Sequence, residues 1–423
     1  MAGQRPTRAA RWLFRSIAAG ATSLFAAGLF VGGGCSLTGI HEYVDNGFKV
    51  GPNYRRPFAE TESDWIDAED PRISDDLPRL NHWWIVFNDQ PMNELVVAAY
   101  QQNLPLREAG LRVSEARAQR GIAVGEIFPQ QQEVFGNFRR RQISKSSLED
   151  RPLFEAAVPR SFNRWTTGFD AAWELDVWGK FRRNIETADA LLDASVEDYN
   201  DILVMLLAET AATYVDVRTL QQRILYAQEN VKAQKGLLGI AQSRYRAGET
   251  DDLDVLQAQI NVSNTEALVP EFKALERKAQ IQLCMLQGVP PRDLTPELGI
   301  GSIPTAPPEV ALGIPAGLLR RRPDVRKAER EVAAQSAQIG VAESDLLPQF
   351  AIRGSIGYDA SDFSDLFRSN SNAGLIAPGF TWDVLNYGRI LNNVEIQDAR
   401  LRQRVLHYRQ TVLRASAEVE KAI

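Results

Sequence analysis

WELDVWGKFRRN (173–184) returns in altered form as WDVLNYGRILNN (382–393). The two stretches align without a gap at an offset of 209 residues. The register persists beyond them: Glu186 falls on Glu395, Ala190 on Ala399, Tyr199 on Tyr408, and Ala208-Glu209 on Ala417-Glu418. Upstream, Gly121-x-Ala123 before Phe128-Pro129 matches Gly340-x-Ala342 before Leu347-Pro348, at offset 219. A repeat of this size sets the architecture before any single motif does. Each copy reads helix, strand, loop, strand, long helix. Two strands are too few for a sheet, and the helices are too long for a compact domain.

The strands come first, working outward. Residues 165–178 alternate: Trp165, Thr167, Phe169, Ala171, Trp173, Leu175 and Val177 on one face, against Thr166, Gly168, Asp170, Ala172, Glu174 and Asp176 on the other. Period two marks a strand with one apolar and one acidic face. In the second copy Phe350, Ile352, Gly354, Ile356 and Tyr358 oppose Ala351, Arg353, Ser355, Gly357 and Asp359, while Phe380, Trp382 and Val384 oppose Thr381 and Asp383. The remaining strand, near Val134–Arg141, alternates weakly. Such alternation also fits a small soluble sheet. Aromatic residues near the strand ends and lengths of about ten residues favour a lipid-facing barrel wall. Four strands cannot close a barrel, and open edges are not tolerated in lipid, so the chain is expected to assemble with copies of itself.

Residues 179–247 hold no proline and three glycines, Gly179, Gly236 and Gly239. A helix of that length spans on the order of 100 Å. Ile185, Ala188, Leu192, Tyr199, Ile202 and Leu206, then Val217, Leu220, Ile224, Ala227, Val231, Leu238, Ala241 and Tyr245, trace a coiled-coil seam. Gly248 ends the helix, and Thr250-Asp251-Asp252 can cap the next one, which runs from about 252 to 288 around Pro270. Residues 91–127 are helical by pattern, 36–80 read as an extended arm, and 289–317 as a connector. The second copy opens at Leu318, where Arg322-Pro323-Asp324 starts a helix.

Composition bounds the rest. The chain is 44% hydrophobic and 24% charged, with no run of 18 uncharged apolar residues after the N-terminus. Arg5, Arg8, Arg11 and Arg15, followed by the apolar run Ile17–Val31 and Gly32-Gly33-Gly34, form a secretory signal over residues 1–34. Its removal takes the net charge from −6 to about −10, which argues against nucleic-acid binding. Cys35 follows at once. It reads as a lipid-modified N-terminal cysteine, a half-cystine or an incidental thiol. The only other cysteine, Cys284, sits in an apolar helical run as a small buried hydrophobe, which leaves Cys35 no disulfide partner and favours lipidation.

With these features in place, the chain after residue 49 resembles the TolC-like outer-membrane efflux protein family, in its lipoprotein branch that serves resistance-nodulation-division pumps. The resemblance rests on ordered blocks. They are Val50-Gly51-Pro52-Asn53-Tyr54-Arg55-Arg56-Pro57, Trp83-Trp84…Phe87…Asp89…Leu95, Tyr245-Arg246-Ala247-Gly248…Leu253-Asp254-Val255-Leu256, and Leu318-Leu319-Arg320-Arg321-Arg322-Pro323-Asp324-Val325 with Ile339-Gly340-Val341-Ala342…Leu347-Pro348. It implies a mainly α protein with a transmembrane β part. Three chains would form a twelve-strand barrel in the outer membrane and a periplasmic tunnel of long helices. It further implies a periplasmic adaptor protein docked on the helix tips, an inner-membrane pump supplying energy indirectly, and passive export of small molecules. A duct for type I protein secretion and a poreless periplasmic scaffold remain the competing readings. Fourteen residues separate Cys35 from the Val-Gly-Pro block, more than the family pattern has, and the second copy stops before its returning helix.

No catalytic constellation emerges. His41, His82 and His407 lie far apart, and neither a GxSxG nor a Walker sequence is present, so neither an enzyme nor a cofactor is expected. The candidate site residues fall in three groups. Cys35 is the lipidation site. Arg244, Tyr245, Gly248, Asp251, Asp252 and Asp254 form the adaptor-docking tip that the resemblance implies, although the same aspartates also suit plain helix capping. Asp170, Glu174, Asp176 and Asp383 are strand carboxylates expected to face the lumen, or simply water on an exposed sheet.

Overall fold

In the computed structural model, residues 39–66, 69–70, 73–74, 80–144, 161–305, 310–311 and 315–422 are described. The signal segment, Cys35 and most of the loop between the first two strands lie outside them. A short helix α1 (Ile40–Asp45) opens the arm. Then follow α2 (Gln90–Gln102), α3 (Leu104–Gly125), β1 (Gln131–Gln142), β2 (Ser161–Glu174), α4 (Lys180–Arg246) and α5 (Asp252–Leu286). The second copy supplies α6 (Pro323–Ser344), β3 (Gln349–Ala360), β4 (Asn372–Thr381) and α7 (Arg389–Ala422). The order helix, strand, strand, long helix therefore occurs twice.

The single helix expected over 91–127 is two. Asn103 ends α2 and starts α3, its Oδ1 accepting from Leu106 N at 2.8 Å while its Nδ2 donates to Leu286 O at 2.8 Å. Pro105 falls in the first turn of α3, where its missing N–H costs nothing. Arg322 is the N-cap of α6, with Pro323 and Asp324 in its first turn, while the short helix α1 lies within the stretch read as an extended arm.

The four strands form one antiparallel sheet in the order β1-β2-β3-β4. Each hairpin pairs internally, and the two hairpins join through β2 and β3, from Trp165 opposite Ala360 to Glu174 opposite Ala351. Among the described residues, both outer strands, β1 and β4, keep one unpaired edge.

Helix α4 is the spine, 67 residues in one element. Its seam changes side along its length. Beyond Val217 the expected stripe holds, with Val217 and Ala227 buried. Nearer the sheet, the buried positions are Thr187, Ala190, Ala194 and Glu197 instead of Ile185, Ala188 and Leu192, which are half-buried. The reason is a neighbour the local pattern does not reveal: α6 packs there, and Ala190 meets Ala333 and Ala334. Small side chains on both helices allow the close approach. The main apolar core sits further down, where Met92, Val96, Tyr214, Val217, Leu283 and Cys284 are all fully buried. Past Ala227 no residue of α4 is buried, and the last stretch of the α4–α5 hairpin stands as an exposed two-helix projection.

Candidate channel sheet and helix tip

Directly opposed residues share a face of the sheet, so the register assigns the faces. Val134, Phe169, Ile356 and Gly374 lie in one row across the four strands. This face carries exposed apolar side chains: Val134 is 82% exposed, Ile376 81% and Ile356 62%. Aromatic clusters flank them at both ends. At the hairpin end Phe138 stacks on Trp165 at 4.3 Å and Trp165 meets Phe363 at 5.0 Å. At the helix end Phe350 lies 6.0 Å from Phe380 and 6.4 Å from Trp178. An exposed apolar band between two aromatic rims, on strands of 10 to 14 residues, has the form of a lipid-facing barrel wall. Among the described residues no helix is long and apolar enough to cross a membrane.

The opposite face is polar, but not simply acidic. Asp170 and Glu174 do lie on it. Glu133 stands directly opposite Asp170, a second carboxylate that the weak alternation of β1 hid. Arg353, opposite Ala172, sits between Asp170 and Glu174 on the same face. Further out, Arg139 opposes Arg164, which binds Asp359 through Nε to both carboxylate oxygens at 3.0 and 2.9 Å. The face therefore alternates acid and base in bands.

The other two expected strand carboxylates are not on strands. Asp176 lies past the end of β2, where its oxygens accept from the backbone N–H of Phe181 at 2.9 Å and of Arg182 at 3.2 Å and pair with the Arg182 guanidinium at 2.8 Å. It satisfies free donors at the start of α4, as a carboxylate at a helix N-terminus does. Asp383 lies past the end of β4, mostly exposed, 3.9 Å from Arg389. The alternation that placed both on strands runs a few residues beyond the last ladder bond.

At the other end of α4 the expected tip is one compact turn. Gly248 N donates to Tyr245 O and Glu249 N to Arg244 O, both at 3.0 Å, with Gly248 at φ +76°. This is the glycine-ended helix stop, in which a left-handed residue lets the last carbonyls find partners. Asp251 caps α5 by accepting from Leu253 N at 2.9 Å, and Asp252 and Asp254 lie in its first turn. Arg244 pairs with Glu249 across the turn at 3.5 Å. Tyr245 is 47% exposed, and a Cβ placed on Gly248 would meet nothing within 4 Å. Capping thus accounts for Asp251, and the outer surface of the turn is open.

One buried constellation had no sequence counterpart. The arm passes over the junction of β2, α4 and α6, and two consecutive arginines hold it. Arg183, 1% exposed, donates from Nε to Val50 O at 2.9 Å, from Nη2 to Gly51 O at 2.6 Å and from Nη1 to Glu186 at 2.7 Å. Arg182 donates to Gly47 O and Phe48 O at 2.9 and 2.7 Å. Lys49 pairs with Glu186 as well. Gly51 is required because its ideal Cβ would sit 2.3 Å from Gly340 Cα. Burial of Glu186 opposes ionisation, but the Lys49 and Arg183 hydrogen bonds outweigh it and hold its pKa below the usual glutamate value. The cue in the sequence was the Arg182-Arg183 pair, which the second copy replaces with Leu391-Asn392.

A girdled, two-faced sheet at one end of very long helices defines a channel-type outer-membrane protein. The profile of the outer membrane efflux protein family matches residues 95–289 and 314–423, and the chain belongs to that family. It is 28% identical over 379 residues to nodulation protein T of Rhizobium leguminosarum bv. trifolii, covering 89% of this chain and 79% of that protein. It is 29% identical over 344 residues to the pyoverdine export outer membrane protein OpmQ of Pseudomonas putida, covering 81% and 72%. Among solved structures, the outer-membrane channel OprN superposes with a TM-score of 0.80 at 32% identity, covering 88% of this chain and 82% of that one. The protein is an outer-membrane efflux channel of the TolC-like fold.

Proposed function

We propose that this chain works as a homotrimer whose twelve strands form one barrel in the outer membrane. It conducts small molecules passively from periplasm to exterior as the outer component of a tripartite pump. The observation that carries this is the sheet with two unpaired outer edges and an exposed apolar face. Such edges are untenable in lipid unless another strand covers each of them. Four strands per chain make twelve in a trimer, wide enough for an aqueous path, whereas eight in a dimer would be filled by side chains. No catalytic role is assigned to any residue. A periplasmic adaptor docks on the open turn at Gly248, with Arg244, Tyr245, Asp251, Asp252 and Asp254 around it. Cys35 carries a lipid that anchors the arm, which the Arg182–Arg183 clamp then fixes to the junction.

The protein extracted from outer membranes in detergent should size as a trimer and give steady conductance in planar bilayers. A stable monomer, or a trimer without conductance, overturns the duct. A bulky Gly248→Trp change should abolish export in cells while leaving bilayer conductance intact. Undiminished export would remove the tip from the docking site. Labelled palmitate should be incorporated by the parent chain and not by Cys35→Ser.

A further inference from the structure

The two open edges carry enough information to fix how one copy meets the next. Phe350 O accepts from Leu175 N at 2.8 Å, so even-numbered residues of β3 turn their backbone groups toward β2. In an antiparallel ladder these groups alternate from residue to residue. Carried through the observed registers, the even-numbered residues of β1 and of β4 present their N–H and C=O groups to the open edges. The same residues form the apolar face, which includes Val134 and Phe138 on β1 and Ile376 and Phe380 on β4. Hydrogen bonding and facing therefore agree, and only even-to-even pairings join β4 of one copy to β1 of another. Pro378, which has no N–H, points its nitrogen to this edge and not into the β3 ladder, as an edge proline should.

Closure narrows the choice further. A row running across the sheet from Val134 passes Phe169 and Ile356 and reaches Gly374. Where Gly374 meets β1 of the next copy sets the stagger, and the stagger sets the strand tilt. At about 3.3 Å per residue and about 4.8 Å between strands, meeting Phe138 tilts the strands by about 35°, Arg140 by about 46° and Gln142 by about 54°. Membrane barrels tilt by about 35–45°, which excludes the last. Side chains separate the other two. Meeting Phe138 would set Phe380 against Gln132 and Ile376 against Gly136. Meeting Arg140 sets Phe380 against Val134, Ile376 against Phe138, and Gly379 against Phe135 on the polar face. The second arrangement pairs apolar groups across the lipid face and gives the inward Phe135 an unobstructed neighbour.

We infer that copies of this chain join through β4 and β1 with Gly374 opposite Arg140 and Phe380 opposite Val134. This rests on the trimer reading above and adds its register. The helix end of the seam supplies a second, independent sign. Inside the chain the Trp178 indole donates to Pro348 O across the β2–β3 junction at 2.7 Å. Its counterpart in the second copy, Tyr387, is 96% exposed with φ +52°. The seam places that ring beside the start of β1 in the neighbouring copy, where Trp178 has its equivalent partner.

Cysteine pairs on the polar face test the register in the full-length protein, in outer membranes, by oxidation and non-reducing gels. Ala377→Cys with Asn137→Cys should give a ladder ending at trimer. Ala377→Cys with Phe135→Cys, or with Arg139→Cys, should give at least tenfold less, and single variants none. A stronger ladder from either shifted pair overturns the register, as does the absence of all three ladders in protein that sizes as a trimer. A monomer in the sizing experiment would instead remove the trimer reading itself. Tyr387→Ala should lower the temperature at which the trimer dissociates in detergent. An unchanged temperature removes the Tyr387 contact from the seam.

Discussion

The two strand-to-helix turns are the same piece of backbone put to different uses. In the first copy the Trp173 indole donates to Ile127 O, and in the second the Trp382 indole donates to Leu346 O, both at 2.9 Å. Gly179 and Gly388 both take positive φ, +80° and +79°. From there the copies part. The first turn holds Asp176 and Trp178 in contacts within the chain and buries Arg183 under the arm. At the matching places the second leaves Leu385 83% and Tyr387 96% exposed and Asn392 at the surface. Duplication kept the bonds that shape the turn. The residues around it diverged according to what covers each copy: the chain's own arm and β3 in one case, nothing among the described residues in the other.

That contrast breaks most sharply at the arginine. Replacing Arg183 with Met takes the guanidinium donor from Val50 O, leaves Gly51 O the Asn46 amide, and should cost about 3 kcal/mol. Asn392→Ala, at the matching place, should change stability by no more than about 0.5 kcal/mol. Thermal unfolding in detergent, with protease cleavage of the arm as a local readout, compares the two; equal losses would dismiss the arm as the cause of the difference. The repeat glycines give the next largest effect. A Cβ on Gly340 would lie 2.5 Å from Val50 O, whereas one on Gly121 meets nothing within 4 Å. Gly340→Ala should cost about 2 kcal/mol, and Gly121→Ala should gain up to about 1 kcal/mol from helix propensity.

Where the copies agree, mutations should agree. Trp173→Phe and Trp382→Phe each remove one indole hydrogen bond, and each should cost about 1 kcal/mol. A large inequality in the same melting assay would show that the matched bonds carry unequal loads. The smallest effect concerns pH. The folded pKa of Glu186 lies below its unfolded value, so its contribution is complete above the usual glutamate range and fades as pH falls through the lower, folded value. Amide exchange of residues 47–51 should quicken over that window, and Glu186→Gln should remove the dependence. Loss of protection on raising the pH would contradict the sign.

Much of this fold was legible in the chain because its signals are local and repeated. Helix length without proline, Gly248 as a stop, and Arg322-Pro323-Asp324 as a start depend on neighbours in sequence. Strand alternation identified the apolar face, but it overran the ladder and carried Asp176 and Asp383 onto strands they do not join. An alternating pattern marks residues able to continue a strand, and the hydrogen bonds decide where pairing stops. Glu133 was missed for the opposite reason, since β1 alternates too weakly for its acid to be placed beside Asp170 without the register.

By itself the sequence determined the duplication, the two-faced strands, the great length of α4 and the family to which the chain belongs. Those properties follow from periodicity and from ordered motifs, which act over a few residues. Only the tertiary structure decided which side of α4 is buried near the sheet, how the arm is clamped by Arg182 and Arg183, and which strand edges stay open. Each of these depends on a partner more than a hundred residues away in the chain, such as Arg183 on Val50 or Ala190 on Ala333. No local pattern specifies such a meeting; close packing and the need to satisfy buried polar groups do.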